Sequence, residues 1–344
     1  MRRTFFAVYG LILCLWFAIS ITFAQSSRVV AIGDIHGDFD AFVGILGQAR
    51  LIDPAQRWSG GNATLVQTGD FLDRGPKARA VMDLLMALQK DAPKQGGKII
   101  VLMGNHEAMN VYGDLRYVSE ADYASFADDR AGSRNGKTET GRPAGFEQRC
   151  AAFSSDGRYG KWIRSLPAVA KVNDSIFLHG GISPELSMAT IERINEAIAA
   201  EIKSFDTYRE FMVNKKLAQP CSTLEELTMA ARAGLEKAKG KDAETLKSFL
   251  NYPAWLSFHE SGPLWFRGYA QWTDDEGPSK VQSLTQSFGV ARFVVGHTPQ
   301  PGGRIVSRFD EMVYLIDTGM LSSYFPGGRA SALNIQDGKI SFIY

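Results

Sequence analysis

The sequence has almost no net charge: 38 basic residues face 37 acidic ones, a formal +1 at pH 7. That balance gives no electrostatic case for nucleic acid as the main partner. An internal repeat of fixed period is also missing, which excludes solenoids and propellers. Despite 34 glycines, no stretch is low-complexity enough to read as disordered. Cysteine is scarce, at 3 in 344 residues. What the chain does have is apolar content. Its 45% of hydrophobic residues suffice to bury a large core, as one big domain or two modest ones.

The longest hydrophobic run stands at the amino end. Met1-Arg2-Arg3 precedes an apolar run over residues 5–23, and Ala24-Gln25-Ser26-Ser27 follows it. A charged start, an apolar middle and the small residues Thr22 and Ala24 before a cut predict a signal peptide over residues 1–24. The mature chain, residues 25–344, is then exported, to the periplasm or beyond. The alternative is an uncleaved anchor, since the run is nearly long enough to span a bilayer; only in that case is a membrane a partner. Arg2-Arg3 also hints at twin-arginine export, which suits a protein loaded with metal before it leaves the cell. Cleavage removes Cys14 and leaves Cys150 and Cys221, a candidate disulfide in an oxidising compartment.

Short apolar runs predict strands over residues 29–32, 64–67, 98–102, 175–178, 292–295 and 312–316. Helical spacing covers 39–50, with Asp38 as its cap, and 77–90, with Pro76 at the first helical position. This alternation predicts an α/β domain with parallel neighbours. Residues 112–161, rich in Asp, Gly, Ser and Arg, read as a long irregular excursion. Residues 184–250 read as a mostly helical insertion, with Ile191, Ile194, Ile198 and Ile202 on one stripe. Ser222-Thr223-Leu224-Glu225 there resembles a capping box. The insertion packs on the sheet as ordinary helices, or caps the site and selects substrates.

Histidine is scarce too, with 5 in the chain, yet four fall in one kind of place. His36, His106, His179 and His297 each stand just past the end of a different predicted strand. In open α/β sheets the ligand crevice lies outside the carboxyl ends of the strands, so four strands can bring these rings together. Asp34, Asp70 and Asn105 stand at the same ends. Imidazole, carboxylate and amide oxygen without cysteine suit Mn, Fe or Zn. The number of donors is too large for one tetrahedral ion and suits two ions sharing a carboxylate. His259 belongs to no strand end and reads as structural.

"GDIHG" (33–37), "GDFLDRG" (69–75) and "GNHE" (104–107) resemble the three signature motifs of the phosphoprotein phosphatase group of the calcineurin-like metallophosphoesterases. "LHGGISPEL" (178–186) and "VVGHT" (294–298) are similar to its two later histidine motifs, in the same order. "MGNHEAMNVYGDLRYVS" (103–119) and "GPLWFRGYA" (262–270) resemble the bacterial-type Shewanella-like protein phosphatases. "LIDTGM" (315–320) departs from the toxin-contacting loop of the eukaryotic enzymes. The resemblance implies a central β-sandwich flanked by helices. It also implies roles: Asp34 and His36 on a first metal, Asp70 bridging, and Asn105, His179 and His297 on a second. His106 is then left free for proton transfer.

Those roles imply phosphomonoester hydrolysis, with a hydroxide held between two divalent or trivalent ions attacking phosphorus. Arg74 suits bidentate contact with the phosphoryl oxygens. His106 would protonate the leaving oxygen, with Asp73 orienting its ring. Arg267 and Arg116 are further candidates for the phosphate, cation–π packing being the other reading of Arg267. The expected substrates are phosphoprotein side chains or a small phosphomonoester. Two alternatives stand beside this. Dinucleoside polyphosphate hydrolases share the first motif, although Asp73 and Glu107 depart from their pattern. A catalytically inactive binding relative would lack a ligand, and none of the expected ligand types is missing.

Overall fold

The computed structural model describes residues 28–127, 141–187 and 189–344. The expected signal segment lies outside them. Among the described residues no helix is long and apolar enough to cross a membrane.

Two five-stranded sheets form the centre. In the first, β1 (Val29–Ile32), β2 (Thr64–Gln67) and β3 (Lys98–Val101) run parallel. The second holds β4 (Val169–Val172), β5 (Ser175–Leu178), β6 (Arg292–Val295), β7 (Val306–Arg308) and β8 (Val313–Leu315), with β5, β6 and β8 parallel. The hairpin β9 (Ala332–Gln336) and β10 (Lys339–Ile343) completes the first sheet beside β1. Strands buried on both faces carry continuous apolar runs, which is why the parallel ones were legible.

The side chains alternate between two cores. Val29, Ala31 and Val66 meet Phe177, Val294 and Tyr314 between the sheets. Val30, Ile32 and Leu65 turn outward to Phe42 and Ile45 of α1 (Phe39–Gln48) and Val81 and Leu85 of α2 (Ala78–Asp91). The result is the expected α/β sandwich with helices on its outer faces. Asp38 caps α1, its Oδ1 accepting from Ala41 N at 3.1 Å.

Several local expectations shift. Pro76 lies outside α2, whose cap is Lys77. Among the described residues, the excursion after α3 (Asn105–Tyr112) contains helices: α4 (Glu120–Ala124), α5 (Phe146–Phe153) and α6 (Arg158–Arg164). Their apolar periodicity is short and broken by glycines, so the pattern does not build up. The insertion forms α7 (Ile191–Asn214), α8 (Leu224–Leu235) and α9 (Gly240–Leu250), joined to the main core through Ile194, Ile198 and Ile202. The capping box before α8 is one residue later than expected. Thr223 is the cap, and Glu226 Oε2 accepts from Thr223 N at 2.8 Å. The two short elements α10 (Gly268–Gln271) and α11 (Gly277–Phe288) lead into β6. Cys150 and Cys221 form the expected disulfide, with a Cα separation of 5.9 Å, joining α5 to the segment before α8.

Candidate active site

The carboxyl ends of β1, β2, β3, β5, β6 and β8 open on one edge. Asp34, Asp70, Asn105, His179, His297 and Asp317 leave from them. The loops that turn there are under constraint. His36, Asp70, Asp73, Arg74 and His297 all have positive φ, between 48° and 68°, where non-glycine residues are uncommon. The first two loops also touch backbone to backbone. A Cβ on Gly75 would stand 2.1 Å from the His36 carbonyl oxygen, so only glycine fits.

Around Asp70 four acceptors converge. The His179 Nε2 lies 2.9 Å from Asn105 Oδ1, 3.0 Å from His297 Nδ1 and 3.2 Å from Asp70 Oδ2. Outer hydrogen bonds fix the tautomers. His179 Nδ1 donates to the Thr68 carbonyl at 3.0 Å, and His297 Nε2 donates to the Trp265 carbonyl at 3.0 Å. The Asn105 amide nitrogen is turned toward Met109 Sδ, which leaves its oxygen facing inward. In the neutral rings, then, two nitrogen lone pairs, an amide oxygen and a carboxylate oxygen face one point without a proton between them. Such an arrangement is repulsive in isolation and suits a cation.

A second group shares Asp70. His36 Nδ1 donates to the Leu72 carbonyl at 2.9 Å, which leaves Nε2 facing Asp70 Oδ2 at 3.8 Å and Asp34 Oδ2 at 4.0 Å. Burial drives His36 down to about 3, over the opposing pull of Asp70. Burial, with His179 and Arg267 beside it, also holds His297 well below its ordinary value. Both rings are thus kept in the unprotonated form that a metal needs. Burial, then the charges of Asp317 and Asp70, push Asp34 well above the usual carboxylate range. Burial raises Asp317, which hydrogen-bonds Asp34, to about 6. Asp70 stays well below that range: burial opposes its ionisation, but the imidazoles of His179, His106 and His36 outweigh it. The buried carboxylates of Asp34, Asp70 and Asp317, beside imidazoles whose outer nitrogens are committed to main-chain carbonyls, fit a pair of metal ions.

His106 differs from the other rings. Its Nδ1 donates to Asp73 Oδ2 at 2.7 Å, a side chain rather than a main-chain carbonyl. Burial works against protonation here, but the Asp70 charge and the Asp73 hydrogen bond raise His106 above its ordinary value. Its Nε2 lies 3.8 Å from Asp70 Oδ2 and 3.2 Å from Arg74 Nη2. Arg74 stacks between two rings, 3.7 Å from the Tyr324 centroid and 4.9 Å from that of Tyr117. His106, Arg74, Tyr117 and Tyr324 line a cavity of about 120 Å³ together with Trp265, Arg267 and Asp317.

Arg267 is in the cavity wall, but not through cation–π packing. Its Nη1 donates to the His297 carbonyl at 2.9 Å and to Thr298 Oγ1 at 3.0 Å. Arg116 is not brought to the site. It forks onto Asp114 at 2.8 and 2.6 Å and faces a separate groove of about 650 Å³, because the chain turns between it and Tyr117. His259 is exposed and away from the cavity, its Nδ1 accepting from Ser261 N at 3.2 Å.

With this geometry in hand, the comparisons with known proteins are decisive. The family model of the calcineurin-like phosphoesterases matches residues 27–301. The chain belongs to that family. An uncharacterized protein of Schizosaccharomyces pombe is 34% identical over 320 residues, covering 92% of this chain and 79% of that one. The Shewanella-like protein phosphatase 1 of Plasmodium berghei is 28% identical, over 92% of this chain and 74% of its own. Among solved structures, the cold-active protein-tyrosine phosphatase of a psychrophilic Shewanella matches with a TM-score of 0.66 and 26% identity, over 92% and 77% of the two chains. A more distant relative is a symmetrical bis(5'-nucleosyl)-tetraphosphatase of Chromobacterium violaceum, 25% identical over 91% and 93%. The protein is therefore a metallophosphoesterase, a hydrolase of phosphoesters with clustered histidine and aspartate ligands.

Sequence reasoning missed several residues of this phosphoesterase. Asp317 follows the end of β8 just as Asp34 follows β1 and His297 follows β6, so the same rule would have found it. Glu107 had been read only as a family mark. In the structure its carboxylate accepts from the backbone N–H of Asp70, Phe71, Leu72 and Gly104, between 2.7 and 3.1 Å, and so ties the second motif to the third. Of the aromatic rim, Tyr117 and Trp265 lie within the motifs at 103–119 and 262–270 with nothing local to mark their role, and Tyr324 lies outside every motif.

Proposed function

We propose that this phosphoesterase is an exported phosphomonoesterase with a dinuclear metal site, acting on phosphorylated protein side chains or on a small phosphomonoester. The convergence of proton-free acceptors beside an imidazole backed by a carboxylate carries this reading. Asp34, His36 and Asp70 would hold one ion; Asp70, Asn105, His179 and His297 would hold the other. The donor set suits Mn, Fe or Zn. When bound, such a pair lowers the pKa of water toward about 7 and offsets charge on the phosphoryl oxygens. The Cys150–Cys221 bond supports an oxidising compartment.

The chain's own residues divide the remaining work. Arg74 takes the phosphoryl oxygens with its planar fork. At present its Nη2 faces His106 Nε2, so the two compete for one proton position. A phosphoryl anion that draws the guanidinium away leaves Nε2 free to carry a proton. His106 then gives that proton to the leaving oxygen as the P–O bond breaks, and Asp73 steadies the imidazolium before transfer. Arg267 supplies positive charge on the opposite wall. Tyr117 and Tyr324 offer flat surfaces to an aromatic leaving group, which favours aryl esters among the phosphomonoesters.

Dinucleoside polyphosphate hydrolysis is the second reading, favoured by the Chromobacterium relative and disfavoured by Asp73 and Glu107. The deciding assay compares phosphate release from phosphotyrosine and phosphoserine peptides with nucleotide release from diadenosine tetraphosphate, with Mn²⁺ and with chelator. Phosphate release from peptides that chelator abolishes is the expected result. Turnover of the dinucleotide alone would sink the phosphomonoesterase reading, and activity indifferent to chelator would sink the metal site.

A further inference from the structure

Behind His106 the hydrogen-bond chain does not stop at Asp73. Asp73 Oδ2 accepts from His106 Nδ1, and Asp73 Oδ1 accepts from Asn110 Nδ2 at 2.9 Å. The same amide nitrogen donates to the His106 carbonyl at 2.9 Å, so both amide protons are committed. The orientation of that amide is set from its other end. Asn110 Oδ1 accepts from Arg149 Nη2 at 2.8 Å, and a guanidinium has only donors, so the amide cannot flip without losing this bond. Arg149 is held in turn by its Nε, which donates to Asp122 Oδ2 at 2.8 Å, and by the Phe153 ring 4.1 Å away. Asp122 and Arg149 come from α4 and α5 and are 0% and 2% exposed.

A buried ion pair is a poor way to gain stability, because desolvation costs about as much as the attraction returns. Asp122 Oδ1 even lacks a hydrogen-bond partner among the described residues. What the pair does supply is direction. It fixes the Asn110 amide, the amide fixes the Asp73 carboxylate, and the carboxylate fixes the tautomer and plane of His106. The disulfide at Cys150, the residue after Arg149, ties α5 to the segment before α8.

We propose that the Arg149–Asp122 pair is a positioning device for proton delivery by His106, acting through Asn110 and Asp73. This rests on the reading of His106 as general acid. Its influence should scale with how much the leaving oxygen needs a proton. Phenyl phosphate needs one; 2,4-dinitrophenyl phosphate leaves as a stable anion and needs little help.

The test compares kcat on these two substrates for the wild type, His106→Asn, Asn110→Ala and the double variant Asp122→Leu/Arg149→Met. The double variant removes both charges at once and so avoids an unpaired buried carboxylate. Asn110→Ala breaks the same chain while leaving the pair in place, and it carries the test if the double variant does not fold. Metal content by elemental analysis and the His106 Nδ1–H proton resonance are read on each protein. The expected result is a loss of about 10-fold or more on phenyl phosphate, a fraction of a full general-acid contribution, with a much smaller loss on the dinitrophenyl ester. Metal content should hold, and the Nδ1–H resonance should shift or broaden away. Equal losses on both substrates, or no loss on either in a folded and metal-loaded protein, overturn the positioning role. If His106→Asn itself shows no leaving-group dependence, the acid assignment falls and takes the proposal with it. If His106→Asn shows the dependence while Asn110→Ala and the double variant do not, only the positioning role falls.

Discussion

The proposed ligand half and the proposed acid half of the site hold their histidines in different ways. On the ligand half, His36, His179 and His297 each donate their outer proton to a main-chain carbonyl: Leu72, Thr68 and Trp265. On the acid half, His106 donates to the side chain of Asp73, which is held by Asn110 and then by Arg149 and Asp122. Backbone anchors are set by the course of the main chain and need no particular residue identity. Side-chain anchors need every identity along the chain. The ligand half should therefore tolerate distant substitution, and the acid half should feel changes made well away from the reacting atoms.

The separation can be broken at several strengths. Asp70→Asn touches both halves and should act hardest. It should lower metal content and cut kcat about 10⁴-fold, several kcal/mol at about 1.4 kcal/mol per tenfold; retained activity and metal would remove Asp70 from the shared position. His106→Ala should slow kcat by about 10³-fold and leave metal content as in the wild type. His36, Asp70 and His106 also lie close enough together to hold an ion, so metal loss in His106→Ala would move this ring into the ligand half. Arg74→Met should act mainly on KM, by about 10-fold to 100-fold, the worth of charged hydrogen bonds; an unchanged KM would leave Arg74 as a stacked rim residue only.

The smallest effect concerns pH. In the metal-free protein His36 titrates at about 3, against about 6.5 in the unfolded chain. Between those values the unfolded chain binds a proton that the folded one refuses. Stability is thus fully present above pH 6.5 and is lost as pH falls toward 3, by about 2 kcal/mol at pH 5. Thermal unfolding of chelated protein between pH 7 and 5 should show this slope, and His36→Asn should flatten it; an equal slope in the variant would mean that other groups carry it.

The same contrast explains what the sequence revealed. Each ligand follows a short apolar strand within one motif, so "GDIHG", "GNHE" and "VVGHT" announced both the sandwich edge and its donors. The parallel strands were readable because they are apolar on both faces. The terminal hairpin was not, since β10 alternates and is partly exposed, although Asp337-Gly338 between two alternating runs is a turn signal. Arg149 and Asp122 were illegible for a different reason. Arg149 acts through Asn110, 39 residues away, and Asn110 acts on Asp73, a further 37 residues away. No spacing rule connects a buried arginine on a short helix with a carboxylate in another motif. Arg116 failed for the converse reason: nearness in sequence to Tyr117 did not carry it around the turn.

The seam between Gly75 and the His36 carbonyl has a consequence for how this enzyme can change. The two loops meet with no room for a Cβ, so whatever displaces the arm that carries Arg74 also displaces the arm that carries His36. The positions of Arg74 and His36 are inherited as one piece. Variation in what the enzyme accepts then has to come from parts outside that seam, beginning with the exposed tyrosines at positions 117 and 324 that pack on Arg74 from the rim.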